Sequence, residues 1–342
     1  MPFAPEASMT DTFAFLVITF IIVLGFEAVN GWTDAPNAIA TVVSTRVLAP
    51  AAAVAMAAFF NLVGALSGTA VATTIGKEII NLDVVPLEVL AAGALSVIIW
   101  STFAWYFGLP TSESHGLVAG LAGAAMAVAG ADVLLLDGWI KVLIGVILAV
   151  TVGFGGGLIV MNLLLLAIQK LSPSAVRRIF SPLQMFSAAF MAWGHGTADG
   201  QKSIGVLAAA IAIYEGKGTE GFAVPLWIIL LAATTMAVST ALGGWRIIRT
   251  LGMRLTHLEP VHGFAAEATA ASTLGVASHF GFGIPLSTTH TIGSAIMGVG
   301  ASKRLSAVRW GIGYNIVGAW ILTFPICFGL GWLIASIVHL AA

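Results

Sequence analysis

The chain has 342 residues, of which 59% are hydrophobic and 8% are charged, and its formal net charge is −1. A soluble domain carries about a quarter charged residues, so this composition excludes a water-soluble protein and predicts a polytopic membrane protein built from helices. The near-zero net charge also argues against nucleic acid as a partner. The lipid bilayer is therefore the predicted surrounding of most of the chain.

The first half predicts a short tail followed by apolar segments. A bilayer core requires about 20 apolar residues per helix, and several runs approach this length. The predicted segments are the tail at 1–12, apolar helices at 13–29, 50–71 and 86–107, a Gly/Ala-rich half-helix or re-entrant hairpin at 111–129, and a long span at 139–168. Gly31, Asp34 and Pro36 interrupt the first apolar run before it restarts, which predicts a broken helix lining protein or a wet cavity.

The second half follows the same plan. A basic cytoplasmic connection at 170–180 separates a first repeat, 13–169, from a second repeat, 181–342. The predicted segments are a helix from 182 that is broken at 194–200, a span at 222–242, a short interfacial helix at 245–258, a span at 263–280, a second hairpin at 285–300 and one or two last spans at 311–340. The chain therefore predicts about ten to twelve transmembrane or re-entrant helices.

Two motifs occur once in each half. Residues 30–40 read NGWTDAPNAIA and residues 195–205 read HGTADGQKSIG, which aligns Asp34 with Asp199. Residues 110–115 read PTSESH, and residues 285–290 read PLSTTH. An acid-bearing motif followed by a Pro/hydroxyl/His motif in each half is typical of transporters with internal repeats, whose halves meet at a site built from interrupted helices. The fold class is thus an all-α membrane protein with two inverted repeats.

The two aspartates are the strongest candidates for a functional site. A carboxylate at membrane depth costs several kcal/mol unless it is paired or hydrated, so Asp34 and Asp199 are expected to hold a coupling cation, either Na⁺ or H⁺. Lys202 occupies the position that Asn37 has in the first half, where its ammonium could pair with Asp199 and stand in for a bound cation. Glu267 is a further candidate, since it is an acid inside an apolar run.

The Pro/hydroxyl/His motifs each open a Gly-rich helix. Their hydroxyl residues are Thr111, Ser112 and Ser114 in the first half, and Ser287, Thr288 and Thr289 in the second. These can be simple N-caps, but two helix N-termini meeting at the midplane would also bind a tetrahedral oxyanion. His115 and His290 end the motifs, where a site role and a structural role are equally open. Two histidines without other ligands do not form a zinc site, so no metal site is predicted.

These motifs resemble the inorganic phosphate transporter family, whose signature is similar to G-x-N-D-x-A-N-A in each repeat with P-x-S-x-[ST]-H hairpins. The resemblance implies a membrane symporter, usually a homodimer and here in a bacterial inner membrane, that imports inorganic phosphate with Na⁺ or H⁺ by alternating access and needs no enzymatic cofactor. By position, Asp34, Asn37 and Asp199 would serve the cation and phosphate region, and the six hydroxyl residues would contact the anion.

The chain departs from the signature at several positions. Its asparagines are replaced by Thr33 and Ala198 at one position and by Lys202 at another, so neutral oxygen ligands for Na⁺ are lost. Coupling to H⁺, or transport of phosphate as a neutral divalent-metal complex, is therefore favoured over Na⁺ coupling.

Other functions stay open at this point. A sulfate permease of the same fold would also bind a tetrahedral dianion. A channel and an intramembrane hydrolase are more distant alternatives. The hydrolase rests on residues 112–115, SESH, which contain a nucleophile, an acid and a base.

Overall fold

Helices account for almost all of the chain. The computed structural model describes residues 9–34, 36–242, 244–279 and 282–341, and within these ranges the chain forms fourteen α-helices and no β-strand. They are α1 (Met9–Thr33), α2 (Pro36–Ser44), α3 (Pro50–Ala65), α4 (Ala70–Lys77), α5 (Leu87–Tyr106), α6 (Glu113–Ala129), α7 (Leu136–Ile168), α8 (Pro173–His195), α9 (Gln201–Tyr214), α10 (Leu226–Thr240), α11 (Trp245–Ile248), α12 (Pro260–His279), α13 (Thr288–Ala301) and α14 (Trp310–Ala341). Residues 1–8 of the predicted tail lie outside the described residues, and α1 already begins at Met9.

The outer helices suit a bilayer. By length and composition, four helical stretches among the described residues can cross a membrane, or six if each of two bent helix pairs counts as one span. The four are Phe13–Ser44, Leu87–Tyr106, Leu136–Ile168 and Trp310–Ala341. Large apolar side chains such as Phe59, Leu143, Ile147, Phe186 and Ile321 are exposed on this outer surface. Such an extended apolar exterior is stable in lipid and not in water.

The two ends of the molecule differ in charge. At one end, which we call the basic end, Arg309 donates to the backbone oxygen of Arg254 at 3.2 Å, and a single cavity is lined by Arg177 and Lys303 together. The three basic clusters of the sequence, at 170–178, 246–254 and 303–309, therefore lie at the same end, for which the positive-inside rule predicts a cytoplasmic location.

The opposite end, the acidic end, is held together by polar contacts between loops. Lys141 forms an ion pair with Glu78 at 2.6 Å, and Asp83 accepts from the backbone N–H of Thr219 at 2.8 Å. The helix α6 reaches this end, because the chain that follows it pairs with Ile80 at Leu134. The helix α13 instead finishes at the basic end, just before Lys303.

The prediction of one continuous span at 50–71 was wrong. The chain bends by 71° between α3 and α4, and α4 extends to Lys77. The side chain of Gln201 stabilises the new helix start by accepting from the backbone N–H groups of Val71 at 2.9 Å and Ala72 at 3.4 Å. These are donors of the first turn, which have no partner within their own helix, so a distant residue decides this break.

The two copies of the acid-bearing motif differ in backbone structure. In the first copy the helix breaks as predicted, with α1 ending at Thr33 and α2 starting at Pro36. In the second copy the predicted break is absent, and α8 continues into α9 through a π-helical segment, Gly196–Gly200. Proline cannot donate the backbone hydrogen bond that continues a helix. Gln201 occupies in the second copy the position that Pro36 has in the first, and it has a backbone N–H. The chain therefore stays helical and accommodates the motif as a π-bulge.

The start of α8 and the segment after α10 refine the second-half predictions. The basic connection is shorter than 170–180, since α8 begins at Pro173 after the Ser172 cap, whose hydroxyl accepts from the backbone N–H of Ala175 at 3.3 Å. The predicted interfacial helix at 245–258 is a short α-helix followed by a π-helical turn. Its two faces differ as an interfacial helix requires: the arginines are exposed, while Ile248, Leu251 and Leu255 are buried.

The two halves of the chain interleave. The helix α6 packs along α14, and α13 packs along α7, so each hydroxyl-bearing helix lies against the last long helix of the other half. Every residue of α13 is buried. The ranges 13–169 and 181–342 are therefore not separate compact bodies, and neither half buries its polar helix alone. This arrangement is compatible with the predicted inverted repeats.

The α6–α14 contact depends on glycine. A Cβ at Gly331 would lie 2.2 Å from the backbone oxygen of Gly120, whereas a Cβ at Gly329, two residues earlier, meets nothing within 4 Å. We expect Gly331→Ala to lower the free energy of unfolding by about 1–3 kcal/mol through overpacking. The matched control, Gly329→Ala, should leave it unchanged. Thermal unfolding of the two purified variants in detergent checks this, and equal melting temperatures would contradict the packing.

Candidate functional site

The N-termini of α6 and α13 meet inside the protein. The Ser114 hydroxyl, in the first turn of α6, lies 3.4 Å from the backbone oxygen of Leu286, two residues before α13. The rings of His115 and His290 are 4.6 Å apart, centroid to centroid. Because the two helices then run to opposite ends of the molecule, both positive dipole ends point at one central region, an arrangement that favours an anion.

Asp34 lies in this region, where the first helix breaks. One carboxylate oxygen accepts from the Asn37 amide and from the Thr289 hydroxyl. The other oxygen lies 3.3 Å from the hydroxyl of Thr288. Asp34 is only 2% exposed, so these donors replace water around a buried carboxylate.

Asp199 faces Asp34 across Thr288. Its carboxylate forms a buried ion pair with the ammonium of Lys202 and accepts from the Thr288 hydroxyl at 2.5 Å. The same ammonium donates to the Ser114 hydroxyl and to the backbone oxygen of Leu286. The central cluster thus consists of Asp34, Asn37, Ser114, Asp199, Lys202, Thr288 and Thr289. Lys202 is the one Lys or Arg side chain that is buried within the described ranges.

His195 adds an imidazole that the sequence analysis did not select. Its Nε2 lies 3.2 Å from an Asp199 oxygen, outside hydrogen-bonding alignment, and its Nδ1 lies 3.1 Å from the Asn61 side-chain oxygen. Asp34, His195 and Asp199 each offer one ligand atom, and these atoms lie within 4.8 Å of one another. Nitrogen and carboxylate oxygen at such spacing can hold a cation.

Two more acids border the cluster. The Thr33 hydroxyl contacts the Glu113 carboxyl at 2.7 Å, and the Asn30 amide donates to Glu27 at 3.4 Å. Each glutamate keeps one oxygen without a hydrogen-bond partner. Both side chains are at most 2% exposed, whereas both oxygens of each aspartate have polar neighbours. The glutamates are therefore the less well satisfied acids.

Some predicted residues have other contacts. Ser112 and Ser287 are N-caps, whose hydroxyls accept from the backbone N–H groups of His115 at 3.3 Å and His290 at 3.2 Å. Thr111 is buried immediately before the first cap. The N-cap interpretation therefore describes one serine in each motif, while Ser114, Thr288 and Thr289 face the cluster.

The two histidines lie behind the cluster against α14. The His115 ring stacks on Phe324 with a centroid distance of 5.0 Å, and the His290 ring stacks on Trp320 at 4.1 Å. His290 also contacts the hydroxyl of Ser287 at 2.7 Å. This is the geometry of packing residues that support the two helix starts.

Glu267 lies apart from the cluster. Its carboxyl oxygens contact the hydroxyls of Thr41 and Ser187, and a neighbouring bond joins Thr45 to Gln184 at 2.8 Å. This second polar cluster lies among α2, α8 and α12, and Glu267 is fully buried there. The structure therefore does not bring Glu267 to the two aspartates.

The comparison with known proteins identifies the family. The phosphate transporter family matches residues 30–172 and 167–331. The chain belongs to this family.

Sequence relatives support membership of the family over nearly the whole length of the chain. The chain is 40% identical over 334 residues to a probable low-affinity inorganic phosphate transporter of Rhizobium meliloti strain 1021, covering 97% of this chain and 98% of that protein. It is 37% identical over 332 residues to a Bacillus subtilis strain 168 protein of the same description, covering 95% and 98%. A solved structure titled as the sodium-dependent phosphate transporter superposes with a TM-score of 0.86 at 22% identity, over 96% of this chain and all of that one.

These matches confirm the predicted family and the polytopic all-helical fold. They also confirm a multi-pass membrane protein, and they set aside the hydrolase, because relatives named as transporters and permeases are not enzymes. The geometry of residues 112–115 agrees. Ser112 contacts the backbone and not the ring of His115, whose ring nitrogens have no hydrogen-bond partner.

The sequence analysis selected all seven residues of this family member's central cluster and missed part of its surroundings. The missed residues include His195 and the pair of Thr33 and Glu113. His195 precedes Asp199 by four residues, the spacing that places two side chains on one face of a helix, so its position carried a usable signal. The contact of Thr33 with Glu113 joins two segments that are distant in the chain, so no local sequence signal indicated it.

The buried ion pair generates a stability prediction. Lys202→Met leaves Asp199 as an uncompensated buried charge, and we expect a loss of about 3–5 kcal/mol in the free energy of unfolding. The double variant Asp199→Asn with Lys202→Met removes both charges and should recover most of it. Lys141→Met breaks a partly exposed ion pair and should lower the free energy of unfolding only slightly. Thermal unfolding in detergent measures all three, and a double variant no more stable than Lys202→Met would contradict the pairing.

Proposed function

We propose that this chain is a secondary active transporter that moves inorganic phosphate across the membrane together with protons, by alternating access. Membership of the phosphate transporter family and the descriptions of its relatives support phosphate as the substrate. Asp34, Asp199 and Thr288 of the central cluster are at most 2% exposed. This burial supports alternating access, because in such a cycle an occluded centre would open to one side at a time.

Phosphate fits the centre because donors and carboxylates occur together there. The first-turn N–H groups of α6 and α13 that the serine caps leave free offer donors to an oxyanion. The hydroxyls of Ser114, Thr288 and Thr289 contact the aspartates and Lys202 in this structure and would turn to the oxyanion when it binds. The Thr288 hydroxyl lies within 3.3 Å of oxygens from both aspartates. A hydrogen phosphate ion can donate a proton to such a carboxylate. Sulfate has no proton to donate at neutral pH, so the same carboxylates disfavour it.

The position of the Lys202 ammonium is the main observation that supports proton coupling. It contacts an Asp199 oxygen, the Ser114 hydroxyl and the Leu286 carbonyl. Carboxylate, hydroxyl and carbonyl oxygens are also the ligands that a hard cation such as Na⁺ requires. A fixed ammonium thus occupies the place where a mobile metal cation would bind in the second half. A symmetric pair of Na⁺ sites is disfavoured.

Charge balance supports the proton as the coupling ion. Four buried carboxyl groups, those of Glu27, Asp34, Glu113 and Asp199, surround the single ammonium of Lys202. A charge at the bilayer centre costs several kcal/mol unless it is compensated, and an entering phosphate adds further negative charge. Protons on the acids remove this excess without a dedicated metal site. The Glu27 oxygen that has no hydrogen-bond partner is a position where one of these protons can bind.

A second candidate keeps the fold and changes the cargo to phosphate with a divalent metal ion. The hydrogen bonds around His195 favour it. Thr240 donates its one hydroxyl proton to the carbonyl of Met236 at 2.8 Å, so the Asn61 amide nitrogen donates to Thr240 at 3.3 Å. The Asn61 oxygen then accepts from His195 Nδ1. In a neutral imidazole the remaining Nε2 is unprotonated, and a metal-ligating histidine commonly has this arrangement.

The homodimer implied by the family resemblance stays a prediction. So does the assignment of individual hydroxyls to the anion. Both follow from the family resemblance and not from a contact in a single chain.

Reconstitution in liposomes tests proton coupling. With Na⁺ absent, uptake of radiolabelled phosphate should require an inward proton gradient and should persist in excess sulfate. Asp34→Ala should lower uptake by more than about tenfold, the effect of losing roughly 1.4 kcal/mol of stabilisation. Asp137→Ala, an exposed acid at the acidic end, should have no effect. Uptake that requires Na⁺ would contradict proton coupling, and strong competition by sulfate would indicate a sulfate permease.

The variant Lys202→Asn, measured in the same liposome assay, tests whether Lys202 replaces a bound cation. It replaces the ammonium with the neutral amide that Asn37 supplies in the first half, so we expect uptake to gain dependence on a Na⁺ gradient. Uptake in this variant that stays indifferent to Na⁺, in protein that is still folded and active in the liposomes, would show that Lys202 does not replace a cation.

The metal candidate has its own readout. If metal is part of the cargo, Mn²⁺ entry should accompany phosphate entry, and chelation of divalent ions should stop both. His195→Gln should raise the metal concentration needed for half-maximal uptake, because it removes the Nε2 ligand. His257→Gln, an exposed histidine, should not. Phosphate uptake that is unchanged by chelation would exclude this cargo.

A further inference from the structure

A cavity of about 410 Å³ lies at the basic end, away from the central cluster. It is formed by the end of α7, the starts of α8 and α12, and the loop after α13. Its lining includes Leu165 and Ile168 of α7, together with Arg177, Glu259, His262 and Lys303. The cavity is therefore apolar on the side of α7 and bears two cationic side chains at its rim.

His262 gives this cavity an unsatisfied buried donor. Its Nδ1 accepts from the backbone N–H of Glu259 at 3.2 Å, so in the neutral ring the proton is on Nε2. That Nε2 has no hydrogen-bond partner, and the residue is only 2% exposed. A buried donor without an acceptor costs roughly 1–3 kcal/mol, which makes a ligand with acceptor oxygens favourable here.

The charges around the cavity select an anion. Arg177 and Lys303 both line it, and Lys303 acts electrostatically on His262. The one acidic side chain in the lining, Glu259, is 59% exposed and lies 4.0 Å from His262 Nδ1, on the side of the ring opposite to the unsatisfied Nε2. A guanidinium, an ammonium and an imidazole N–H together match the oxygens of a phosphate group.

The apolar wall and the location favour a lipid over a free ion. Leu163 and Leu166 of α7, next to the lining residue Leu165, are 60% and 63% exposed on the lipid-facing surface. The basic end faces the cytoplasmic leaflet, where anionic headgroups concentrate. We propose that this cavity binds the phosphate headgroup of an anionic phospholipid of the cytoplasmic leaflet, with the glycerol and upper acyl chains lying along the end of α7.

Such a lipid would connect three parts of the fold. The cavity contains the joint between the halves at α7 and α8, the start of α12, and the loop that follows α13. These segments are distant in sequence and meet with few polar contacts of their own. A bound headgroup therefore crosslinks the joint between the halves to the helix that begins in the central cluster.

The chain offers a matched test, since each lining cation has a basic neighbour that does not line the cavity. Arg178 follows Arg177, and Arg304 follows Lys303, and all four are exposed. Native mass spectrometry of the full-length protein, titrated with dioleoyl phosphatidylglycerol or dioleoyl phosphatidylcholine, measures binding. We expect the wild type to prefer phosphatidylglycerol. Arg177→Ala with Lys303→Ala should weaken that binding by at least about fivefold, while Arg178→Ala with Arg304→Ala, which removes the same charge, should not.

Two results would overturn the proposal. An equal loss of phosphatidylglycerol binding in the two double variants would mean that the lipid binds through general surface charge. Displacement of the lipid by millimolar inorganic phosphate would mean that the cavity binds the free ion. His262→Phe, which fills the same volume without a donor, should also weaken binding, and equal melting temperatures of all variants without added lipid exclude misfolding as the cause.

Discussion

One buried ammonium among four buried carboxyl groups is the constraint on which the centre of this protein depends. Lys202 on α9 contacts Asp199, the first turn of α6 and the chain just before α13. It therefore joins three elements of two interleaved halves. Each charge at this depth is tolerated only through its neighbours. In the proposed transport reaction, an ion that enters or leaves the cluster would therefore change the partners of Lys202, and ion binding would be coupled to rearrangement through this side chain.

Two adjacent positions make the halves chemically unequal. Pro36 and Asn37 in the first copy correspond to Gln201 and Lys202 in the second. Proline breaks the first helix, whereas Gln201 lets the second continue as a π-bulge and uses its side chain to cap α4. The lysine then places an ionisable amine where the first half has a neutral amide. Backbone and electrostatics thus change together, and only the first half keeps a neutral amide beside its aspartate.

The helix α13 runs from the central cluster to the basic end. It begins at Thr288, which contacts both aspartates, and it ends two residues before Lys303 at the rim of the basic-end cavity. Its fourteen residues are all buried, and they pack along α7 from the other half. In the proposed transport reaction, a movement of α13 that opens the central cluster would therefore also displace a wall of the cavity.

The sequence by itself determined the membrane environment, the repeated motifs and the seven residues of the central cluster, because composition, periodicity and paired acids are local properties. Only the tertiary structure decided that Glu267 lies apart, that Ser112 and Ser287 cap helices, and that α3 and α4 are bent. Each of these depends on partners far away in the chain, such as Thr41 or Gln201, and a hydrogen bond between distant segments leaves no periodic trace in the residues that form it.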